Sequence, residues 1–394
     1  MKLNQLTIFF ILMLSCTLLI ASAEPVHQSR MIFPQQDKHV HGSSLVELPS
    51  GDLLAAWFQG SGERSANDVV INGARLVKGS KQWSDIFQMA DTPNLPDCNP
   101  VLYLDPNQTL RLFWIAVRAN GWQHSLLRIK TSNDYNTAAA PNWSWQDVIL
   151  LQPGELFTES IKQGFKELDT PEDMWADYAP PYTRLIEEAA QDKNKRQEGW
   201  MTRNHPTQLQ SGRILLPLYS DGFNMGLAAI SDNGGQTWRA SQPIVGLAGI
   251  QPTFAQRKNG DVVAYMRDTG RPPNRVMMSL SKDDGETWSV MRDTDIPNPS
   301  SSLQIRALQL HDYWVLIHND TEDDRGSMAV ALSDDEGETW KWSRNIGRTE
   351  SYGYPSLIED QNGLIHISYT YKTDKGNTIK HESFSIEWIK NQSN

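Results

Sequence analysis

One pattern constrains this chain more than any other. An apolar strand runs into a polar turn and leaves it at once as a second apolar or aromatic strand. It reads LPSGDLLAAWF at 48–58, LDPNQTLRLFWIAV at 104–117, LQSGRILLPLY at 209–219, RKNGDVVAYMR at 257–267, LHDYWVLIH at 310–318 and EDQNGLIHISYTY at 359–371. Asn-Gly and Ser-Gly supply the positive φ angles that tight hairpins need, so each copy reads as strand, turn, strand. The turns fall near 51, 107, 212, 260, 312 and 363. Neighbours are one period of roughly 50 residues apart, and a unit of that size buries its apolar face only against another copy.

A second repeat rides on the first. SDNGGQTW begins at 231, SKDDGETW at 281 and SDDEGETW at 333, with degenerate traces in GSKQW (79–83) and SNDYNTAAAPNW (132–143). The clustered carboxylates look catalytic, but Asn233 stands in the slot of Asp283 and Asp335. Asparagine makes the same turn hydrogen bonds and cannot ionise, so the box predicts a structural turn. The single double-length gap, 107 to 212, holds polar segments of helical character at 156–200, broken at Pro180-Pro181. The pattern predicts an all-β fold, a six-bladed β-propeller with a helical insertion at about 156–200. A parallel β-helix is the runner-up, but its coils are shorter than this period.

The first 23 residues carry Lys2, a long apolar run and the small-residue site Ala21-Ser22-Ala23. They predict a secretory signal cut near Ala23, a single domain over 24–394, and a secreted or periplasmic protein. Cys16 leaves with that segment. Cys98 is then the lone thiol, expected as a buried apolar filler rather than half of a disulfide. No later run is long enough to span a membrane. A net charge of −11 argues against nucleic acid as a partner. No phosphate loop or dinucleotide fingerprint is present, and no cofactor is expected. The acidic run 319–324 suits calcium less well than it suits solvent, and no metal site is predicted.

In a propeller the innermost strand of each blade starts near the axis. Counting back seven to ten residues from each turn gives His41, Asn99, Arg203 to His205, Gln251, the 299–304 stretch and Tyr354. Polar residues at one phase of most blades predict a lined funnel at one end of the axis. The ends of the second strands add Glu63, Arg64 and Asp68, then Arg267, then His318, Asn319 and Arg325. Arg267 closes the apolar strand VVAYM, where a cation needs a partner.

With its boxes and hairpins the chain resembles, over most of its mature length, the sialidase-like glycoside hydrolases that carry BNR repeats, or Asp boxes. In that family three arginines hold the substrate carboxylate. A tyrosine activated by a glutamate attacks the anomeric carbon, and an aspartate in a mobile loop is the acid–base. GYPSLIEDQNGLIHISYTY is similar to the family's tyrosine motif, which implies Tyr354 as nucleophile. Arg267 and Arg325 match two of the arginines. Two positions depart: His41 stands where the first arginine belongs, and Gln251 stands where the glutamate belongs. The acid falls to Glu63 or Asp68. His41 and His205 are further proton-transfer candidates. Gln251, Arg203, Asn99, Arg64 and Asn319 are candidate substrate contacts.

The resemblance implies an exported, monomeric, exo-acting glycosidase that removes a terminal acidic sugar, sialic or uronic, from a glycan. A propeller lyase acting on a uronate, and a binding propeller without chemistry, are the alternatives.

Overall fold

The computed structural model describes residues 24–168, 182–270, 272–348 and 350–391. The leader at 1–23 and the break at 180–181 lie outside the described residues. Six antiparallel sheets follow one another around an axis, each with its innermost strand first. The first strands are His39–Glu47, Asp97–Leu104, the interrupted pair Met201–Thr202 and Thr207–Gln208, Gly249–Gln256, Gln304–Ala307 and Ser351–Glu359. Each polar turn read from the sequence joins one of these to the second strand of its blade, and the six-bladed propeller is the observed fold.

The ring closes in a way the repeat did not announce. The strand His27–Met31 pairs with Gly376–Phe384, His27 opposite Phe384 and Met31 opposite Lys380, and becomes the outer strand of blade six. His27 Nε2 meets the buried carboxylate of Glu382 at 2.7 Å, and its ring stacks on Trp388 at 4.3 Å.

The acidic boxes are turns, as their asparagine variant indicates. Asp283 accepts from Thr287 N at 2.9 Å and Asp335 from Thr339 N at 2.8 Å. Asn233 accepts from Thr237 N at 3.0 Å in the same way. Each box also docks on the preceding blade. Arg111 donates to Gly235 O (3.1 Å), Arg213 to Asp284 O (3.0 Å) and Tyr265 to Gly337 O (3.1 Å). The box tryptophans pack into the same seams: Trp238 lies edge-on to Phe113 and Trp288 stacks on Phe254 at 5.0 Å.

The insertion between blades two and three is helical at Glu155–Glu167, Tyr182–Gln191 and Lys193–Gln197. Its apolar face, Phe157, Ile161, Phe165 and Ile186, is buried with Trp200 and Phe223. Phe157 meets Phe223 edge-on at 5.2 Å. The helices thus brace the turn that leaves blade three next to the axis.

Candidate active site

Four of the six innermost strands are broken at the phase predicted for the funnel. Register shifts fall between His41 and Ser44, Cys98 and Val101, Ile250 and Thr253, and Gly353 and Ser356. At the same phase the backbone turns left-handed: Gly42 (φ 60), Asn99 (φ 51), Gln251 (φ 57), Ser300 (φ 54) and Tyr354 (φ 56). Positive φ is costly for residues with a side chain, and bulges of this kind re-aim side chains beside functional sites. Blade three shows the same interruption as the gap Arg203–Pro206 between its two short strands.

Tyr354 sits at the centre of the result. Its phenolic oxygen accepts from Arg267 Nη1 at 2.8 Å and from Gln251 Nε2 at 3.3 Å. The guanidinium carbons of Arg203 and Arg325 lie 5.0 Å and 5.4 Å from its ring centroid. The His41 ring is 4.0 Å from the tyrosine ring, tilted by 52°. Burial opposes ionisation of the phenol. The charges of Arg267 and Arg325, the Gln251 hydrogen bond and Arg203 outweigh it, and the Tyr354 pKa falls below its ordinary value. Burial, then His39 and the three arginines, holds His41 well below its usual range, so that imidazole is neutral at pH 7.

The arginines are positioned differently. Arg267 spans Ser300 Oγ and Tyr354, and Arg325 donates to Ser300 O at 2.7 Å. Both keep partial exposure. Arg203 is 3% exposed and spends two nitrogens on Ser43 O and Pro355 O, clamping blades one and six below the tyrosine. Burial draws it down to about 10, so it stays charged at neutral pH. Three guanidinium groups therefore lie around Tyr354.

Asn99 enters indirectly, donating to Tyr219 Oη at 3.2 Å. Glu63 and Arg64 stand on the rim of the funnel. The charge of Glu63 bears on Arg325 and Asp221, and Arg64 lies over Trp122 while donating to Asn120 O. Asp68 is turned to its own loop: it accepts from Ser61 N at 3.0 Å and Ser61 Oγ at 2.6 Å, and those bonds lower its pKa.

His205 and Asn319 are not brought to Tyr354. His205 Nε2 donates to Leu45 O at 2.8 Å, and its Nδ1 accepts from Gln304 Nε2 at 2.8 Å. Gln304 Oε1 is already taken by Leu357 N, which fixes the neutral tautomer. Burial lowers His205 to about 3. Asn319 is fully buried and holds Ser327 O and Tyr352 O. His318 is likewise buried, against backbone carbonyls. Cys98 is a buried free thiol that burial keeps protonated.

Two residues of the site went unread in the sequence. Tyr219 lies near the end of the second strand of blade three and Asp221 just after it, in LYSDGFN, which looks like an ordinary turn. Burial raises the Asp221 pKa against the pull of Arg267 and Arg64. A tyrosine and an acid at the end of a second strand, at the phase of Arg267, were the available signal.

Among the described residues no three histidine, cysteine, aspartate or glutamate side chains are grouped to hold a metal. None of the described helices is long and apolar enough to cross a membrane.

The same architecture occurs in solved structures. A protein of unknown function from Dyadobacter fermentans superposes with a TM-score of 0.68 at 15% identity, covering 92% of this chain and 99% of that one. The intramolecular trans-sialidase of Ruminococcus gnavus, solved with oseltamivir carboxylate, gives 0.65 at 15% identity over 91% and 96%. The NanB sialidase of Streptococcus pneumoniae gives 0.65 at 13% identity over 91% and 71%. Comparison with curated proteins finds no match. The sequence matches the model of the BNR repeat-like domain over residues 51–167 and 197–367. The chain is a divergent, sialidase-like member of the BNR repeat-like domain family.

Proposed function

We propose that this protein is an exported, monomeric glycoside hydrolase of sialidase type that removes a terminal acidic sugar from a glycan. One observation carries the reading: a half-buried tyrosine whose oxygen is held by Arg267 and whose ring is flanked by two further guanidinium groups. Such a cluster suits an anionic sugar and an ionised phenol alike.

In this reading Arg267 and Arg325 hold the carboxylate. The Tyr354 oxygen bonds to the anomeric carbon as the glycosidic C–O bond breaks, and Glu63 delivers its proton to the departing oxygen. Water then attacks the same carbon and gives a proton to Glu63, and the tyrosine–sugar bond breaks. Gln251 cannot accept the phenolic proton as a glutamate would, so activation is electrostatic: the arginines favour the phenolate.

A second reading rests on His41, neutral and 4.0 Å from Tyr354. A uronate lyase needs a base beside a neutralised carboxylate and needs no glutamate.

The mature protein incubated with sialyl and glucuronyl glycosides separates these by mass spectrometry. Release of an intact monosaccharide supports hydrolysis, and an unsaturated, ultraviolet-absorbing product supports elimination. Tyr354→Phe is expected to cut turnover by about 10³-fold or more, as loss of a nucleophile does. Sugar binding without turnover by the wild type would leave only a lectin.

A further inference from the structure

A second cavity lies away from Tyr354. It lies at the other end of the axis, about 710 Å³, ringed by the ends of the innermost strands. Tyr354 and Glu359 are five residues apart on one strand, so the two ends are separated by roughly 17 Å. His205 and Gln304 form part of the wall on the side of the axial core.

Each blade contributes a polar side chain to this ring: Glu47, Tyr103, Gln208, Gln256, Arg306 and Glu359. Three of them are committed to the preceding blade. Gln256 accepts from Gln210 N, Glu359 from Leu310 N and Glu47 from Gln361 N, each capping a hairpin turn. Arg306 and Tyr103 are not. Neither makes a hydrogen bond or ion pair among the described residues, and Arg306 Nε is buried with no partner. They come from blades two and five, which face each other across a six-membered ring.

Arg306 is half-buried, and a guanidinium whose Nε is buried without a partner is costly. Glu359 lends it some field, but its oxygens are spent on backbone N–H groups. Burial also raises the Tyr103 phenol to about 12, so that hydroxyl remains a donor. We infer that the rear axial cavity binds a small monocarboxylate of sugar-acid size, with Arg306 on the carboxylate and the Tyr103 hydroxyl as a second donor. The two glutamates in the same ring disfavour a multiply charged anion such as phosphate. The volume and the glutamines suit a hydroxylated ring.

The test uses the whole mature protein carrying Arg267→Ala, which silences the front site. Calorimetric titration with D-glucuronate is expected to show binding, with D-glucose and inorganic phosphate each at least tenfold weaker. Adding Arg306→Gln is expected to weaken glucuronate at least tenfold, and Tyr103→Phe about threefold. If Arg306→Gln does not fold, Arg306→Lys replaces it, with a tenfold loss expected because the planar fork is gone. No glucuronate binding in the Arg267→Ala protein overturns the site, as does unchanged affinity in the Arg306 variants. Equal binding of glucose, or tighter binding of phosphate, overturns the carboxylate assignment.

Discussion

Arg267 and Tyr354 come from blades four and six, yet a 2.8 Å hydrogen bond joins guanidinium to phenol. The contact exists because both blades break their innermost strand at the same phase. Gln251, paired beside Arg267, and Tyr354 both adopt left-handed backbone there.

Gln251→Glu places a carboxylate about where Nε2 now meets the phenol. In the proposed mechanism activity depends on an ionised Tyr354, so kcat/KM should fall as pH drops through the phenol pKa. A glutamate that takes the phenolic proton during attack moves this acid limb toward its own range, near 4.3. The pH profile of both proteins is the measurement. Coincident acid limbs would show that the phenol does not control the rate.

Glu63 and Asp68 share a loop and divide by geometry. Glu63→Gln is expected to lower turnover by about 10²–10⁴-fold with little change in KM, the range for a general acid. Asp68→Asn weakens only the bonds to Ser61 and should leave kcat within about twofold. Steady-state kinetics on one substrate distinguishes them, and the reverse order would assign the acid to Asp68.

His205 makes a prediction about stability. Its pKa is about 3 when folded and near 6.5 when unfolded. Its contribution is complete above 6.5. Below that pH the unfolded chain binds a proton that the folded one refuses. Stability then falls by about 1.4 kcal/mol per pH unit down to about 3. Urea denaturation at pH 7, 6 and 5 measures the slope. His205→Gln should make it shallower between 6.5 and 5 by the share of one histidine, the buried His41, His318 and His381 keeping theirs, with lower stability at pH 7.

Asp283→Asn should be nearly silent, because Asn233 already makes the equivalent turn bond in blade three. Asp283→Ala loses the bonds to Thr287 N and Oγ1 and should cost about 1–2 kcal/mol without touching kcat. A loss of turnover in either variant at full folding would return the boxes to the chemistry.

The fold was legible because a hairpin turn is a local event. Gly212, Gly260 and Gly363 carry positive φ at the predicted turns, and six such turns at one spacing leave little choice of architecture. Tyr354, Arg267 and Arg325 were legible because they sit at fixed distances from those turns. What depended on distant contacts was not legible. Nothing local shows that Arg203 would be clamped under Tyr354 by Ser43 and Pro355, or that Asp68 would fold onto Ser61. Asp221 reads as part of a turn until Phe223 is seen anchored on the helical insertion. The pairing of residues 27–31 with 376–384 carries no repeat signature at all.

That pairing has a mechanical consequence. His27 lies opposite Phe384, so the free end of one strand sits beside the free end of the other. Tension applied between the two ends of the chain loads these rungs one after another, the opening of a zipper rather than the shearing of a lap joint. Under pulling the seam opens from its outer end, where Val26 and Ser385 are bonded to each other, and the His27–Glu382 contact is the next tooth.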